Sequence, residues 1–180
     1  LPVSSQGRKY KKKMMQGIET IDQASTPGEA ELCVEEFRKI SEKYPDQWLP
    51  YYYAAQVLTT HTMGEQDRTA GDQRLDRAGV YLDSALLLAP EESEVHVLNA
   101  LYIIARMSLD PYNRGQLYYE DLMAALQKAE QLNPDNPRAH FLNGMLTLNM
   151  PDYMGGGPIA AKPVFEKAAE LFDACLLYTS

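Results

Sequence analysis

Cysteine is scarce, basic charge is outweighed, and no apolar run is long. Each shortage removes a class of protein. The 180 residues hold two cysteines, Cys33 and Cys175, too few for a disulfide framework or a cysteine zinc cluster. Lysine and arginine number 17 against 25 acidic residues, giving a formal charge of −8 and a pI near 4.9. Wrapping nucleic acid requires a basic face, so no nucleic-acid partner is expected. No stretch approaches the roughly 20 apolar residues of a membrane span. The most apolar run, Val95 to Ala105, is short and broken by His96 and Asn99, and predicts a helix buried on most sides.

What remains is an ordinary globular composition, 45% apolar and 23% charged, so a folded domain is expected. Both ends read differently from the middle. Val3-Ser4-Ser5 places small residues where a signal peptidase would read them, but Arg8, Lys9, Lys11, Lys12 and Lys13 follow at once and oppose translocation. That basic run suits either a solvated helix lead or contact with anionic lipid, and the solvated lead is the expectation. Cys175 to Ser180 is what a transposon end used in sequencing-library preparation would encode, so a foreign tail is expected there. The domain reading is therefore a tail at 1–9, a helical domain at 10–174 and an artefactual tail at 175–180.

The middle is organised by a repeat. Leu132 to Gly144 has a relative at Leu88 to Ala100, shifted by 44 residues, which aligns Pro134 with Pro90, His140 with His96 and Asn143 with Asn99. A looser copy begins at Pro45, another 45 residues back. A period of this length means stacked helix pairs. Helical periodicity predicts eight helices: Tyr10–Ala24, one opened by Ser25-Thr26-Pro27, Trp48–Met63 capped by Asp46, Gln73–Ala89, one from Glu91-Glu92 to Leu109, Gln116–Leu132, Pro137–Asn149, and one beginning at Pro158. Thr59–Gly71, Asp110–Gly115 and Met150–Gly157 read as loops or turns.

The second helix of each pair carries small, large and small residues at fixed spacing, as in Ala78-x3-Leu82-x2-Ala85-x4-Pro90 and Ala161-x3-Phe165-x2-Ala168. Cys33/Phe37/Ile40 and Leu122/Leu126/Ala129 are looser versions, and Ala55, Ala100 and Gly144 are the small sites of the first helices. Small residues let two backbones approach. The pattern resembles the tetratricopeptide (TPR) repeat, whose unit is about 34 residues. The resemblance implies an all-α, right-handed solenoid of about four helix pairs with extended turns inside the pairs. Surplus residues of this kind either project from one edge, where function often lies, or merely lengthen the helices. Trp48-Leu49-Pro50-Tyr51-Tyr52-Tyr53, Asp110-Pro111 with Arg114-Gly115, and Gly155-Gly156-Gly157 also resemble exported bacterial TPR proteins of unassigned role. That likeness implies a periplasmic or envelope-facing scaffold.

Catalytic chemistry finds little support. The triple glycine lacks a P-loop's preceding strand and its Gly-Lys-Ser/Thr ending, so a flexible turn is expected over an anion cradle. His96 and His140 share a repeat position with Tyr51, which points to packing with a polar edge, since metal ligands need fixed convergent spacing. Cys33 at a small helical site packs as a hydrophobe. Adjacent acids such as Glu35-Glu36 diverge around a helix. The expectation is therefore a non-enzyme with no cofactor and no metal, acting as a protein- or peptide-binding scaffold. TPR geometry implies a concave face at Tyr52, Gln56, Thr59, Leu101, Arg138, Phe141, Met145 and Asn149, flanked by Leu49, Thr60, Val97 and Ile104. The alternative is a small-ligand-binding helical protein serving an envelope transport system. A deep apolar pocket lined from several repeats would favour that alternative, and an open groove would favour the scaffold.

Overall fold

The computed structural model describes residues 5–177, whose secondary structure is eight α-helices, one short 3-10 turn and no strand. They are α1 (Ser5–Ile21), α2 (Pro27–Lys43), α3 (Trp48–Thr60), α4 (Arg68–Leu88), α5 (Ser93–Ser108), α6 (Pro111–Leu132), α7 (Pro137–Asn149) and α8 (Pro158–Leu177). Val3 and Ser4 of the signal-like tripeptide, and residues 178–180 of the suspected tail, lie outside the described range. Helices pack as α1/α2, α3/α4, α5/α6 and α7/α8, with each even helix also touching the next odd one. Successive first helices α3, α5 and α7 meet directly. The fold is a linear array of antiparallel helix pairs.

The small sites explain the stacking. Ala55, Ala78, Ala85, Ala100 and Ala129 have no exposed surface, and Ala161 and Ala168 have almost none. At Gly144 a β-carbon would stand 2.8 Å from the Phe165 ring, so only glycine lets α7 and α8 come this close. Large partners fill the spaces between: Phe37 is wholly buried and stacks on Tyr53 at 5.3 Å, while Leu75 and Leu122 sit in adjoining clusters. Burying one such side chain stabilises by about 1.5–3 kcal/mol.

Helix starts follow a common device. Thr26 and Glu29 form a reciprocal capping box before Pro27. Asp67, Asp110 and Asn136 each accept from backbone amides of the turn they open. The cap expected at Asp46 is not there. Gln47 is the residue preceding α3, and its side chain makes no capping bond.

Two expected loops are partly helix. Gly71 lies inside α4, where a β-carbon would stand 2.6 Å from Leu109 Cδ2. It is a close-approach glycine, and the connection is residues 61–67. Asp110–Gly115 is the cap and first turn of α6, not a turn cluster. In the α5/α6 pair the surplus residues therefore lengthen a helix of 22 residues, whereas 61–67 and 150–157 are true extended connections.

The triple glycine forms a turn, as expected, and the turn is closed by hydrogen bonds. Gly155, Gly156 and Gly157 donate their amides to the carbonyls of Asp152, Pro151 and Thr147 at 3.0, 3.2 and 2.9 Å. Gly155 and Gly157 hold φ of 83° and 92°, the left-handed region that favours glycine. With its amides already bonded inside a closed turn, the segment has none to offer an anion.

The shared Tyr/His/His position also gains a cause. The His96 and His140 Nε2 atoms donate to the carbonyls of Pro90 and Pro134 at 2.8 and 2.7 Å, and the Tyr51 hydroxyl reaches Pro45 O at 3.4 Å. Each ring satisfies the carbonyl of a turn proline six residues before it. His140→Ala should cost about 1 kcal/mol in thermal unfolding, a typical net hydrogen-bond value, and His140→Tyr should recover most of it. Equal losses in the two variants would refute the device.

Candidate functional site

Three helices of two successive pairs enclose an apolar cleft of about 360 Å³. α5 contributes Ile104, Met107 and Ser108, one helical stripe at i, i+3 and i+4. α6 contributes Pro111, Gly115 and Leu122, and α7 contributes Met145, Leu146 and Asn149. Gly115 faces open space, with no atom within 4 Å of where its β-carbon would stand. Only Ser108 and Asn149 bring polar side chains, and the Asn149 amide is already donated to Met145 O at 2.7 Å. A cleft of this volume, mostly apolar with a few polar points, suits a small molecule.

The residues expected on a concave face do not share one surface. Met145 and Asn149 line the cleft, and Ile104 joins them from α5. Phe141, 45% exposed, lies beside Phe165 with ring centroids 5.8 Å apart, outside the cleft. Tyr52 and Thr59 are interior: Tyr52 is 7% exposed, and Thr59 is fully buried with an unpartnered hydroxyl. They are interior because α3 is covered by α2, α4 and α5 together, Tyr52 packing with Leu82 and Ala85 of α4 and Val95 and Leu98 of α5. Gln56 and Leu101 are half-buried, Leu101 packed against both the α3–α4–α5 and the α5–α6–α7 core clusters.

Arg138 is exposed but engaged. Glu94 accepts from Arg138 Nη1 at 3.2 Å and from the Tyr52 hydroxyl at 3.4 Å, while its other oxygen accepts from Asn136 Nδ2 at 2.9 Å. This carboxylate ties α3, α5 and α7 together, so Tyr52 and Arg138 position the array. Burial, with Glu94 second, pushes the Tyr52 hydroxyl pKa upward, which keeps it a neutral donor.

A second carboxylate braces the cleft from behind. Arg114 donates to both Asp72 oxygens at 2.7 and 2.8 Å, and Arg106 adds a bond at 3.0 Å. Arg106 also pairs with Asp76 and lies over the Tyr102 ring, while Arg68 reaches Asp110 at 2.7 Å. These bonds fix the α5–α6 turn, whose residues form the cleft wall. Arg114, with Arg106 adding to it, holds the Asp72 carboxyl below the usual carboxylate range, while partial burial acts the other way. Its folded pKa is lower than its unfolded one, so its stabilisation is present above about pH 4 and lost as pH falls through the folded value. The unfolding midpoint should drop as pH falls below about 4, less steeply in Asp72→Asn. An unchanged acid slope in that variant would remove Asp72 as its source.

Elsewhere the chemistry is quiet. Cys33 is buried, its Sγ is 3.4 Å from the Thr20 hydroxyl, and burial pushes its thiol pKa up. Among the described residues no three His, Cys, Asp or Glu side chains are grouped to hold a metal, and no helix is long and apolar enough to cross a membrane.

No protein-family model and no curated protein matches the chain. Solved structures do. The HusA haemophore from Porphyromonas gingivalis superposes with a TM-score of 0.81 at 28% identity, over 95% of this chain and 84% of that one. The chain is thus similar throughout to a haemophore. A second structure, MamA RS-1 ArsTM double mutant, matches at TM-score 0.57 and 19% identity, covering 92% of this chain and 76% of that one. At that identity it speaks for the helical array alone. Of the cleft residues, Met107, Ser108, Leu122 and Leu146 are not among the expected site residues, while Pro111 and Gly115 lie in the Asp110–Gly115 segment expected as a turn.

Proposed function

We propose that this chain is a non-catalytic carrier that holds a small, flat, largely apolar ligand of the tetrapyrrole class in the α5–α6–α7 cleft. The cleft itself carries this reading. It is apolar, bounded by helices from two successive pairs, and of ligand size. Similarity to a haemophore over 95% of the chain supports the ligand class. The stripes at Ile104–Ser108 and Met145–Asn149 offer apolar faces to a macrocycle, and the thioethers of Met107 and Met145 adapt to its edge. His96 and His140 are already bonded to proline carbonyls and have no part in the site.

Titration with haem and with iron-free protoporphyrin, followed by absorbance, tests the reading. Saturable one-to-one binding of at least one of them is the expected result. Failure of both with folded protein would overturn it.

A second reading keeps the array as a TPR-type docking module. It is favoured by the outer side of α7 and α8, where Phe141, Leu148 and Ile159 are 45, 39 and 92% exposed beside a surface groove containing Phe165. A protein partner that still binds when the cleft is saturated with ligand would support it.

A further inference from the structure

Charge is unevenly spread along the array. Without Arg8, Lys9, Lys11, Lys12 and Lys13 the formal charge would fall from −8 to −13. All five are exposed on α1, and none is ion-paired to a described residue. Arginines elsewhere are paired, including Arg38, Arg77, Arg106 and Arg114.

The arrangement on α1 is one-sided. Tyr10, Met14, Gly17 and Ile18 form the packed stripe against the first core cluster. Arg8, Lys12, Met15 and Glu19 recur at helical spacing on the opposite side, where they line a shallow groove with Lys11 and Gln16. Met15 stands in its middle, 53% exposed. Among the described residues α1 packs only on α2 and α3, which leaves this side of it uncovered by them. Arg8 lies in the first turn counted from Ser5 with no acid there, where it opposes the helix dipole.

We propose that this outward basic face of α1 docks on an anionic lipid surface, with its cations over headgroup phosphates and Met15 entering the headgroup boundary. Clustered cations beside an exposed apolar side chain are the pattern that binds such surfaces. A planar surface can meet this face of α1 without approaching the acidic remainder of the chain. A polyanion that must wrap the protein would be repelled by it.

Sedimentation with vesicles tests this, using phosphatidylcholine alone or mixed equally with phosphatidylglycerol. Binding should favour the anionic vesicles by about 100-fold at low salt and lose that preference at high salt. The triple variant Arg8→Gln, Lys11→Gln, Lys12→Gln should bring the preference below about tenfold. Its unfolding midpoint should hold or rise, because the conflict with the dipole is relieved. Lys11→Arg with Lys12→Arg should bind as the parent does. Equal binding to both vesicles, undiminished binding by the triple variant, or tighter binding to double-stranded DNA than to anionic vesicles would overturn the proposal.

Discussion

Gly115→Phe is expected to lower the affinity for a cleft ligand by at least about 100-fold, or about 2.7 kcal/mol, while leaving the protein folded. Gly115 is one turn into α6 and lines the cleft, and a β-carbon there would meet no atom within 4 Å. A phenyl ring grown from it has the cleft as its open space and would occupy part of its volume of about 360 Å³, across the faces a flat ligand would use. The backbone does not object: replacing glycine in a helix by phenylalanine improves helix propensity by a few tenths of a kcal/mol. The thermal midpoint should therefore stay level or rise, which separates filling the cleft from unfolding. Gly115→Ala is the companion, because one methyl leaves most of the space free and should change affinity less than about threefold. The measurement is the porphyrin titration on all three proteins. If Gly115→Phe binds as tightly as the parent, the ligand lies elsewhere, and the groove of α7 and α8 becomes the place to look.

The scaffold was legible in the sequence because small residues at fixed spacing record close backbone approach. Ala55, Ala100 and Gly144 were read as contact sites and are buried as such. The cleft was less legible, for one identifiable reason. Asp110-Pro111 was read as a turn, yet it is the same cap-then-proline signature as Thr26-Pro27 and Asn136-Pro137, which were read as helix starts. Applying that signature evenly would have begun α6 at Pro111 and put Gly115 on a helix face beside Met107. Tyr52 and Thr59 failed differently. The family geometry that places them on a concave face carries no information about how much of α3 its neighbours cover. Leu109 against Gly71 shows the same limit, because a glycine needed for contact between distant helices looks like a loop glycine until its partner is known.

Asn136→Ala is expected to destabilise the protein by about 2–4 kcal/mol, from roughly 1 for a lost cap and 1–3 for buried partners left unpaired. The residue sits inside the repeated stretch Leu132–Gly144 and is 1% exposed. Its Oδ1 accepts from the Arg138 and Ala139 amides at 3.0 and 3.3 Å, and its Nδ2 donates to Ser93 Oγ and Glu94 Oε1, both at 2.9 Å. Ser93 in turn donates to Ala129 O at 2.9 Å. One amide thus caps α7 and joins it to α5 and α6, the three helices that bound the cleft. The side chains before α3 and α5, Gln47 and Glu92, make no capping bond, so this junction has no substitute in the other pairs. Asn136→Asp keeps the acceptor for the cap but sets a second carboxylate against Glu94. Like charge raises the pKa of such a pair in the folded state, so the variant's deficit should grow as pH rises through that raised value and shrink on acidification toward about pH 5. Asn136→Ala has no such titration and should show a deficit nearly constant over that range. Thermal unfolding at pH 5 and 7 reads both, with a shift on the order of 5–15 °C for the alanine variant. Porphyrin affinity should fall with it, because α7 carries Met145 and Asn149 into the cleft wall. A loss below about 0.5 kcal/mol, the ordinary surface range, or identical pH behaviour in the two variants, would mean that the junction is held by apolar packing alone.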